Sequence, residues 1–343
     1  MQGRKTKVLV VDDSLLFRET LAKGIAKDAS IEVVGTAADP FEARDKILEF
    51  EPDVMTLDVE MPKMNGIEFL RRLMPQYPIP VVVVSAVDGV VFDALDAGAV
   101  DFVAKPDYKA GRSVDLVINE LILKVKIAST AKVNHFKINI EDKKVVNSSS
   151  FGKRNKLIVI GASTGGTEAI DSILKSLPKE MPGMLIVQHM PPVFTKLYAD
   201  RLNNSCALEV REAKNRDKVE QGTVLIAPGD QHMRIKRISN DYYVECFKGE
   251  KVNGHCPSVD VLFESVAPYA DKNFIGIILT GMGADGARGL LAMRLKGART
   301  IGQDEKTSIV YGMPKVAYTI GAVEKQSALE NIPSLIYSMV AGR

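Results

Sequence analysis

Short apolar runs rich in valine and isoleucine alternate with segments of helical period along most of the chain. This alternation is typical of α/β domains, in which parallel strands are buried on both faces and connected by helices. The chain has 343 residues, about twice the length of a typical domain. We therefore expect two domains, residues 1–128 and 154–343. They are joined by a linker, residues 129–153, in which periodicity fades and the polar run Asn147-Ser148-Ser149-Ser150 occurs.

The first region predicts a flavodoxin-like (βα)5 domain, because every strand candidate is followed by an amphipathic stretch. The strands are expected at Val8–Val11, Glu32–Thr36, Val54–Leu57, Val81–Val84 and Phe102–Ala104. The helices are expected at about Leu15–Ala26, Pro40–Glu49, Gly66–Met74, Phe92–Ala97 and Val114–Ala128.

The second region predicts a doubly wound, Rossmann-like α/β domain that also contains an antiparallel hairpin. Its parallel strands are expected at Leu157–Ile160, Met184–Gln188, Val224–Ile226 and Phe274–Leu279. The hairpin pairs Met233–Ile238 with Tyr242–Phe247, and helices are expected at Thr167–Leu177, Phe194–Asn203, Ser258–Tyr269 and about Ala328–Val340.

The charge balance and the cysteine content exclude several classes of protein. The formal net charge is only +2, with 45 Lys and Arg against 43 Asp and Glu, which argues against a protein that coats nucleic acid or an anionic membrane. Three cysteines are too few for a disulfide scaffold, so we expect a cytoplasmic protein. The sequence contains no uninterrupted run of 18 apolar residues, so we expect neither a membrane span nor direct membrane insertion.

Polar side chains follow four of the strands predicted in the first region. Asp12 and Asp13 follow the first strand and Asp58 the third, while Ser85 and Lys105 follow the fourth and fifth. Because the carboxyl ends of parallel strands meet in one crevice, these groups are expected to converge. Clustered carboxylates suit Mg²⁺, and a carboxylate beside a cation, an ammonium and a hydroxyl can accept a phosphoryl group. The alternative is that each acid caps a helix.

The first region resembles the receiver domain of two-component response regulators. The resemblance rests on VDDS at 11–14, DVEMPKMNG at 58–66, Ser85-Ala86 and AGAVDFVAKP at 97–106. It implies that a histidine kinase phosphorylates Asp58, and that Asp12, Asp13 and Asp58 bind Mg²⁺. It also implies that Ser85 and Lys105 contact the phosphoryl group, that Phe102 reorients on activation, and that the Lys105–Pro106 bond can be cis.

The segment GASTGG at 161–166 follows a predicted strand and opens a helix. It lacks the Gly-Lys-Ser/Thr of a phosphate-binding loop, because Thr167 stands where the lysine would be. A dinucleotide site remains an alternative, although Ser163 replaces the second glycine of that fingerprint. The segment also matches G-x-S-x-G, in which a strained turn presents the serine as a nucleophile.

A serine nucleophile needs a base, and the chain has four histidines. His135 lies in the predicted linker, and His232 and His255 lie in loops near the hairpin. Only His189 directly follows a parallel-type strand, so it is the candidate base. Asp285, which follows the strand Phe274–Leu279, is the candidate that orients the imidazole. The alternative is that Asp285 caps a helix and His189 is an ordinary loop histidine.

The second region resembles the chemotaxis protein-glutamate methylesterase family, CheB. The motifs are GASTGG (161–166), VQHMPPVFTKLYADRL (187–202), APGDQHM (227–233), HCPSVDVLFESVA (255–267), ILTGMGADGARG (278–289) and SIVYGMPKVA (308–317). The resemblance implies Ser163 as nucleophile, His189 as general base and acid, and Asp285 as the orienting group. It also implies that the amides of Thr164 and Met282 form the oxyanion hole.

Together, these resemblances predict a phosphorylation-activated esterase that demethylates, and also deamidates, the cytoplasmic domain of chemoreceptors, with Mg²⁺ in the receiver and no cofactor in the catalytic domain. A non-catalytic binding module under receiver control is the alternative. A DNA-binding output domain is disfavoured by the small charge and the strand-helix repeats. A metal site at Cys246, His255 and Cys256 is disfavoured by irregular spacing and the lack of a fourth ligand.

Overall fold

The computed structural model describes residues 4–86, 88–107, 113–133 and 156–342. The chain divides into two compact units, residues 1–137 and 138–343. The division falls inside the segment predicted as a linker. Residues 134–153 of that segment, and His135 with them, lie outside the described residues. The domain limits 1–128, 129–153 and 154–343 therefore stay a prediction.

The first unit is a five-stranded parallel sheet in the order β2-β1-β3-β4-β5. This is the flavodoxin-like order, so the predicted fold of the first unit is confirmed. Its strands are β1 (Thr6–Val11), β2 (Ile31–Ala37), β3 (Val54–Asp58), β4 (Val81–Ser85) and β5 (Asp101–Ala104), and its helices are α1 (Leu15–Ile25), α2 (Pro40–Phe50), α3 (Gly66–Leu73), α4 (Val91–Asp96) and α5 (Val114–Ala128).

The central strands of this sheet are the apolar runs of the sequence. Every residue of β3 and β4 is buried, since helices cover both faces. Three helices of this unit begin with an N-cap residue. The side chains of Ser14, Asp39 and Asn65 each accept a hydrogen bond from a backbone amide in the first turn of the helix that follows. The carboxyl ends of β1 and β3 therefore open side by side, with Val11 paired to Leu57.

The second unit contains a seven-stranded parallel sheet in the order β14-β13-β12-β6-β7-β9-β8, with a separate hairpin of β10 and β11. The predicted doubly wound fold with a hairpin is confirmed. Its strands are β6 (Leu157–Ala162), β7 (Gly183–Gln188), β8 (Glu209–Glu212), β9 (Thr223–Ile226), β10 (His232–Ile238), β11 (Asp241–Phe247), β12 (Phe274–Ile278), β13 (Arg299–Gln303) and β14 (Lys325–Ser327). Its helices are α6 (Gly166–Lys175), α7 (Phe194–Ser205), α8 (Val259–Val266), α9 (Ala287–Leu295), α10 (Met313–Thr319) and α11 (Ile332–Ala341).

The strand order of the second sheet reverses direction at β6. The chain runs from β6 to β7 on one side, and β12 later returns to the other side of β6. Ligands of such sheets bind in the crevice at the carboxyl ends of the strands beside this switch point. The ends of β6, β7 and β12 are where Ser163, His189 and Asp285 follow.

Two further findings concern the backbone. Among the described residues, the cis peptide bond is Cys256–Pro257, so the expectation of a cis Lys105–Pro106 bond is wrong. Within the same described ranges, no helix combines the length and the apolar character needed to cross a membrane.

Candidate functional site

The first unit brings its predicted polar residues together at the carboxyl ends of its strands. Carboxylate oxygens of Asp12, Asp13 and Asp58 lie within 4.8 Å of one another. Asp12 and Asp58 are buried, whereas Asp13 is exposed. The ammonium of Lys105 lies 2.6 Å from Oδ2 of Asp58 and 2.9 Å from Oδ2 of Asp12. One lysine therefore faces a cluster of three carboxylates.

The positive charge of Lys105 does not balance the negative charge of the three carboxylates in this cluster. Burial raises the pKa of Asp58 to about 6, and the neighbouring Asp12 adds to the rise although Lys105 opposes it. Burial also acts against the charge of Lys105, but its bonds to Asp58 and Asp12 outweigh that effect and raise its pKa. A hard divalent cation would relieve the excess of negative charge, and these oxygen donors are the kind that Mg²⁺ prefers. The residues present therefore fit Mg²⁺.

Ser85 and Phe102 lie on the two strands next to this cluster. Ser85 ends β4, is buried, and its carbonyl accepts a 2.8 Å hydrogen bond from the amide of Lys105. Phe102 is buried in β5, and the ammonium of Lys124 lies 4.9 Å from the centre of its ring. Ser85 is thus at the crevice as expected, and the ring of Phe102 is packed inward.

In the second unit, Ser163 lies on the sharp turn between β6 and α6. Its amide donates to the carbonyl of Thr280 over 3.0 Å, and its carbonyl accepts from Gly166 and from the side chain of Gln188. Gly165 has a φ of +75°, the left-handed conformation that lets α6 start at Gly166, three residues after the serine. The backbone of Ser163 is therefore held by β7 and by the loop after β12.

His189 lies beside this turn because β6 and β7 are paired. Ala162, the last residue of β6, is paired with Gln188, the last residue of β7. Ser163 and His189 each follow directly after these paired residues. The amide of His189 also donates to the carbonyl of Ala162 over 3.1 Å. Nε2 of His189 lies 2.8 Å from Oδ2 of Asp285. The structure therefore brings His189 and Asp285 into direct contact.

Asp285 is almost fully buried, with 1% of its surface exposed. It precedes α9 in the chain, and its carboxylate lies in space at the N-terminus of α8. Its carboxylate accepts hydrogen bonds from the amides of Val259 (2.7 Å) and Asp260 (3.2 Å) and from the side chains of Ser258 (2.7 Å) and Asn253 (2.8 Å). Burial alone would raise the pKa of Asp285. The bonds to His189, Asn253 and Ser258 outweigh burial and hold that pKa well below its usual value. Asp285 is thus a fixed anion.

The contact with Asp285 determines which nitrogen of His189 can act as a base. Because an ionised carboxylate only accepts hydrogen bonds, Nε2 must carry a hydrogen. The lone pair of the neutral ring then lies on Nδ1, which is buried and makes no hydrogen bond to the described residues. A hydrogen bond between His189 and the hydroxyl of Ser163 is thus not present among them.

The loop after β12 packs directly on Ser163. A Cβ at Gly281 would lie 2.6 Å from Cβ of Ser163, so only glycine fits there. Met282, the next residue, has 45% of its surface exposed, and Thr164 is buried with its carbonyl bonded to the hydroxyl of Thr280. Thr164 follows Ser163 in the chain, and Met282 follows Gly281, which packs on Ser163. The role of their amides as an oxyanion hole stays a prediction.

Sequence reasoning missed three residues of this site: Asn253, His255 and Ser258. The sequence places His255 only in a loop near the hairpin, but its ring stacks on that of His189 with centroids 3.7 Å apart and planes 9° apart. The Asn253-Gly254 pair is a turn signal that could have drawn attention to this segment. His232 is elsewhere engaged, because its Nε2 contacts the carbonyl of Glu250 and its Nδ1 accepts from the amide of Ser258.

Among the described residues, the side chains clustered closely enough to hold a metal ion are Asp12, Asp13 and Asp58. The disfavoured site at Cys246, His255 and Cys256 therefore receives no support. All three cysteines are free thiols, and burial raises the pKa of Cys246 to about 12, which makes it a poor metal ligand.

Comparison with known proteins places both units in characterised families. A response regulator receiver domain profile matches residues 8–112, and a CheB methylesterase profile matches residues 158–336. The protein-glutamate methylesterase/protein-glutamine glutaminase 2 of Syntrophomonas wolfei subsp. wolfei is 61% identical over 318 residues, covering 92% of each chain. The protein-glutamate methylesterase/protein-glutamine glutaminase of Escherichia coli K12 is 48% identical over 318 residues, covering 91% of this chain and 90% of its own.

A solved structure agrees with these matches. The crystal structure of the Thermotoga maritima CheB methylesterase catalytic domain is 37% identical, with a TM-score of 0.53, and the alignment covers 54% of this chain and 99% of that domain. The relatives match over nearly their whole length, and the family profile spans most of the second unit. The chain therefore belongs to the CheB methylesterase family, and its first unit carries a response regulator receiver domain.

Proposed function

We propose that this protein is a phosphorylation-activated protein-glutamate methylesterase, a serine hydrolase that cleaves glutamyl methyl esters on the cytoplasmic domain of chemoreceptors. The observation that carries the proposal is the pairing of His189 with the buried anion Asp285, beside the turn that presents Ser163. A binding module would have no need of an imidazole held on a buried carboxylate. No observation favours that alternative.

Acylation begins at the hydroxyl of Ser163. Nδ1 of His189 takes the hydroxyl proton while Oγ attacks the γ-carbonyl carbon of the methyl ester. The resulting imidazolium keeps its Nε2–H on Asp285, whose negative charge stabilises it. When the tetrahedral intermediate collapses, the carbon–oxygen bond to the methoxy group breaks and His189 returns the proton to it. Methanol leaves, and the glutamyl group remains as an ester on Ser163.

Deacylation repeats these steps with water. His189 takes a proton from water, whose oxygen attacks the acyl carbon. The bond between the acyl carbon and Oγ of Ser163 then breaks, and His189 returns the proton to Oγ. The products are a glutamate side chain and free Ser163. Backbone amides of Thr164 and Met282 are proposed to stabilise the negative oxygen in both steps, because the loop that carries Met282 packs on Ser163.

The same site can act on a glutamine side chain. An amide carbonyl accepts the attack of Ser163 as an ester does, and His189 then protonates the departing nitrogen, so ammonia leaves instead of methanol. The curated relatives named above carry both activities in their names. We therefore propose glutamine deamidation as a second reaction of Ser163, His189 and Asp285.

The receiver is proposed to control this chemistry. Asp58 accepts a phosphoryl group from a chemotaxis histidine kinase, and Lys105 is already bonded to the accepting carboxylate. Ser85 ends the neighbouring strand and would contact the phosphoryl oxygens, and Phe102 would reorient with them. Phosphorylation then shifts the population of the protein towards its active state.

Asp12, Asp13 and Asp58 are the residues that would bind Mg²⁺ in the receiver. When bound, Mg²⁺ supplies positive charge that favours transfer of an anionic phosphoryl group to a carboxylate. The catalytic unit is proposed to need no cofactor, because Ser163, His189 and Asp285 account for each bond change. The proposed partners are the histidine kinase and the chemoreceptor. The protein is proposed to act in the cytoplasm, without binding nucleic acid and without inserting into a membrane.

The test is release of methanol from methyl-esterified receptor cytoplasmic domains by the full chain. Ser163→Ala should lose nearly all turnover while its melting temperature stays near that of the wild type. His135→Ala, which changes a histidine of the predicted linker, is the control and should retain its activity. Wild-type rates in Ser163→Ala would refute the proposed nucleophile, and a large loss in His135→Ala would show that another histidine is the base.

A further inference from the structure

A tight turn lies beside the proposed catalytic residues and has no part in the mechanism above. The amides and carbonyls of Val252 and His255 exchange two hydrogen bonds of 3.0 Å. Between them, Asn253 and Gly254 have φ values of +53° and +83°. Positive φ at both central positions is the conformation that Asn-Gly favours, so the turn is locally specified. Two side chains of this turn, those of Asn253 and His255, contact different residues of the site.

Asn253 contacts the carboxylate side of the site. Its Nδ2 donates 2.8 Å hydrogen bonds to Oδ1 of Asp285 and to Oδ2 of Asp260. Asp260 is itself bonded to the amide of Gly289 on α9. The turn is therefore anchored to two elements of the domain through one amide group.

His255 contacts the imidazole side. Its ring lies 3.7 Å from the ring of His189, with 9° between the planes. An imidazole N–H lies in the plane of its ring, so the single hydrogen bond from His189 to Asp285 leaves the ring free to rotate about that bond. A flat ring stacked on one face supplies that restraint. Loss of the stack would let Nδ1 move relative to Ser163.

Within the part of the chain that the structure describes, His189, Asp285 and Lys251 act electrostatically on His255. Burial, together with His189 and Lys251, lowers the pKa of His255 to about 4, although Asp285 opposes the shift. His255 is therefore uncharged at neutral pH. An uncharged aromatic face attracts the imidazolium that His189 becomes, whereas a second cation would repel it.

We propose that His255 is a positioning residue, whose stacked ring holds His189 with Nε2 on Asp285 and Nδ1 available to Ser163. The inference rests on the proposed esterase function and deepens it. The observed contact of His255 with the site is the stack on His189, and the mechanism gives His255 no proton transfer. It acts through His189.

The test compares His255→Ala with His255→Phe in the full chain. Phenylalanine keeps a flat, uncharged ring, whereas alanine removes the stack. We expect kcat for methanol release to fall at least about tenfold in His255→Ala with KM changed less than about twofold, because misplacement of a base affects the chemical step. His255→Phe should keep kcat within about threefold of the wild type. His135→Ala is the matched control for loss of a histidine.

A spectroscopic readout separates positioning from simple loss of packing. The chain has four histidines, so ¹⁵N spectra of the imidazoles can be assigned with single variants. The wild type and His255→Phe should show His189 as one tautomer, with hydrogen on Nε2 and ring protons shifted upfield by the stack. His255→Ala should lose the upfield shift and show mixed tautomers.

Two results would overturn the inference: an unchanged kcat in His255→Ala, or a reduced kcat with the tautomer of His189 as in the wild type. Thermal unfolding of each variant, measured in parallel, identifies a variant that does not fold. If the wild-type protein itself releases no methanol, the proposed function fails. The spectra of His189 would still decide whether His255 positions that ring.

Discussion

The amide of Val259 donates a 2.7 Å hydrogen bond to Oδ2 of Asp285, the same oxygen that contacts His189. Val259 is the first residue of α8, so this oxygen lies at the positive end of a helix. The side chain of Val259 also fills the space above two glycines, since a Cβ at Gly161 or Gly286 would collide with it. The start of α8 is thus packed between β6 and the loop that carries Asp285.

This relationship explains how a carboxylate stays ionised with almost no exposure to water. Four donors and a helix N-terminus replace its hydration, and they do so whether or not His189 is charged. The anion is therefore in place before the imidazolium forms. Such preorganisation is what lowers the barrier of the charge-separating step.

Asp285→Asn should abolish most esterase activity. The side-chain amide of asparagine can turn its NH₂ towards His189, which would stabilise the tautomer with hydrogen on Nδ1 and leave no base for Ser163. We expect kcat to fall by about 10³- to 10⁴-fold with a small change in KM. Steady-state methanol release measures the effect. Asp271→Asn, which changes a carboxylate remote from the crevice, serves as the control, and activity within about tenfold of wild type in Asp285→Asn would contradict the assignment.

The same substitution should change how stability depends on pH. Since the folded state lowers the pKa of Asp285, its ionised form stabilises the fold above the pKa that an unfolded Asp has, about 3.9. That contribution is lost as the pH falls below about 4. Denaturant unfolding of the catalytic unit within the full chain should therefore show a steep loss of stability in this range for wild type. In Asp285→Asn the loss should be shallower, and equal slopes would contradict the prediction.

Gly281→Ala should impair catalysis through the position of Ser163. The new Cβ would lie 2.6 Å from Cβ of Ser163 and 2.5 Å from Sδ of Met313, so one of them must move. We expect kcat to fall by about 100-fold. Gly283→Ala is a matched control in the same loop, because no heavy atom lies within 4 Å of its Cβ and its φ of +86° adds only backbone strain. Its kcat should remain within about threefold, and equal losses in the two variants would show that strain and not contact is responsible.

The strands that carry the site were predictable because burial on both faces leaves a clear apolar run. β6 and β7 are buried along their whole length, and the observed limits extend the predicted ones by a residue or two. Their polar successors were then identified, His189 by its place directly after a strand and Ser163 by its place together with the G-x-S-x-G match. Asp58 in the receiver was likewise identified by its place at the end of a strand, and it is the last residue of β3.

Other elements were hidden by their polar residues. β13 is an inner strand, next to the edge strand β14, but contains Thr300 and Gln303. Their burial is possible because the amide of Thr280 donates to Gln303 and the amide of Glu324 donates to Thr300. β8 and β14 are short, partly exposed edge strands without an apolar run. The helix α10 was missed, and α9 was expected only in the alternative in which Asp285 caps a helix. α9 contains Gly289, which packs against Phe263 where a larger residue would not fit.

The stack of His255 on His189 could not be predicted, because it depends on where a loop folds relative to the sheet. The sequence signals a turn at Asn253-Gly254 but not the strand ends that the turn reaches. A side chain on a loop has no periodicity that fixes its direction. Only the packing of α8 places His255 and Asn253 at the site.

Removal of Mg²⁺ should expose the electrostatic repulsion within the receiver. Because the folded state raises the pKa of Asp58 to about 6, the fold is most stable when Asp58 is protonated. In EDTA, stability should therefore fall as the pH rises from about 4 to about 6, by on the order of 2 kcal/mol. Asp58→Asn should abolish this dependence and raise the melting temperature of the receiver at neutral pH. If Mg²⁺ in place of EDTA fails to stabilise the wild type at neutral pH, the acidic cluster is not its site.

Asp58→Asn should also separate the switch from the enzyme. The side-chain amide of asparagine cannot form an acyl phosphate, whereas Ser163, His189 and Asp285 are untouched, so basal methanol release should stay within about twofold of the wild type. A small phosphodonor with Mg²⁺ should stimulate the wild type and leave Asp58→Asn unchanged. Asp45→Asn, which alters an exposed carboxylate on α2, controls for the loss of a charge and should be stimulated normally. Stimulation that persists in Asp58→Asn would mean that activation does not pass through this residue, and Lys105→Ala would then distinguish a second acceptor at the same crevice from one elsewhere.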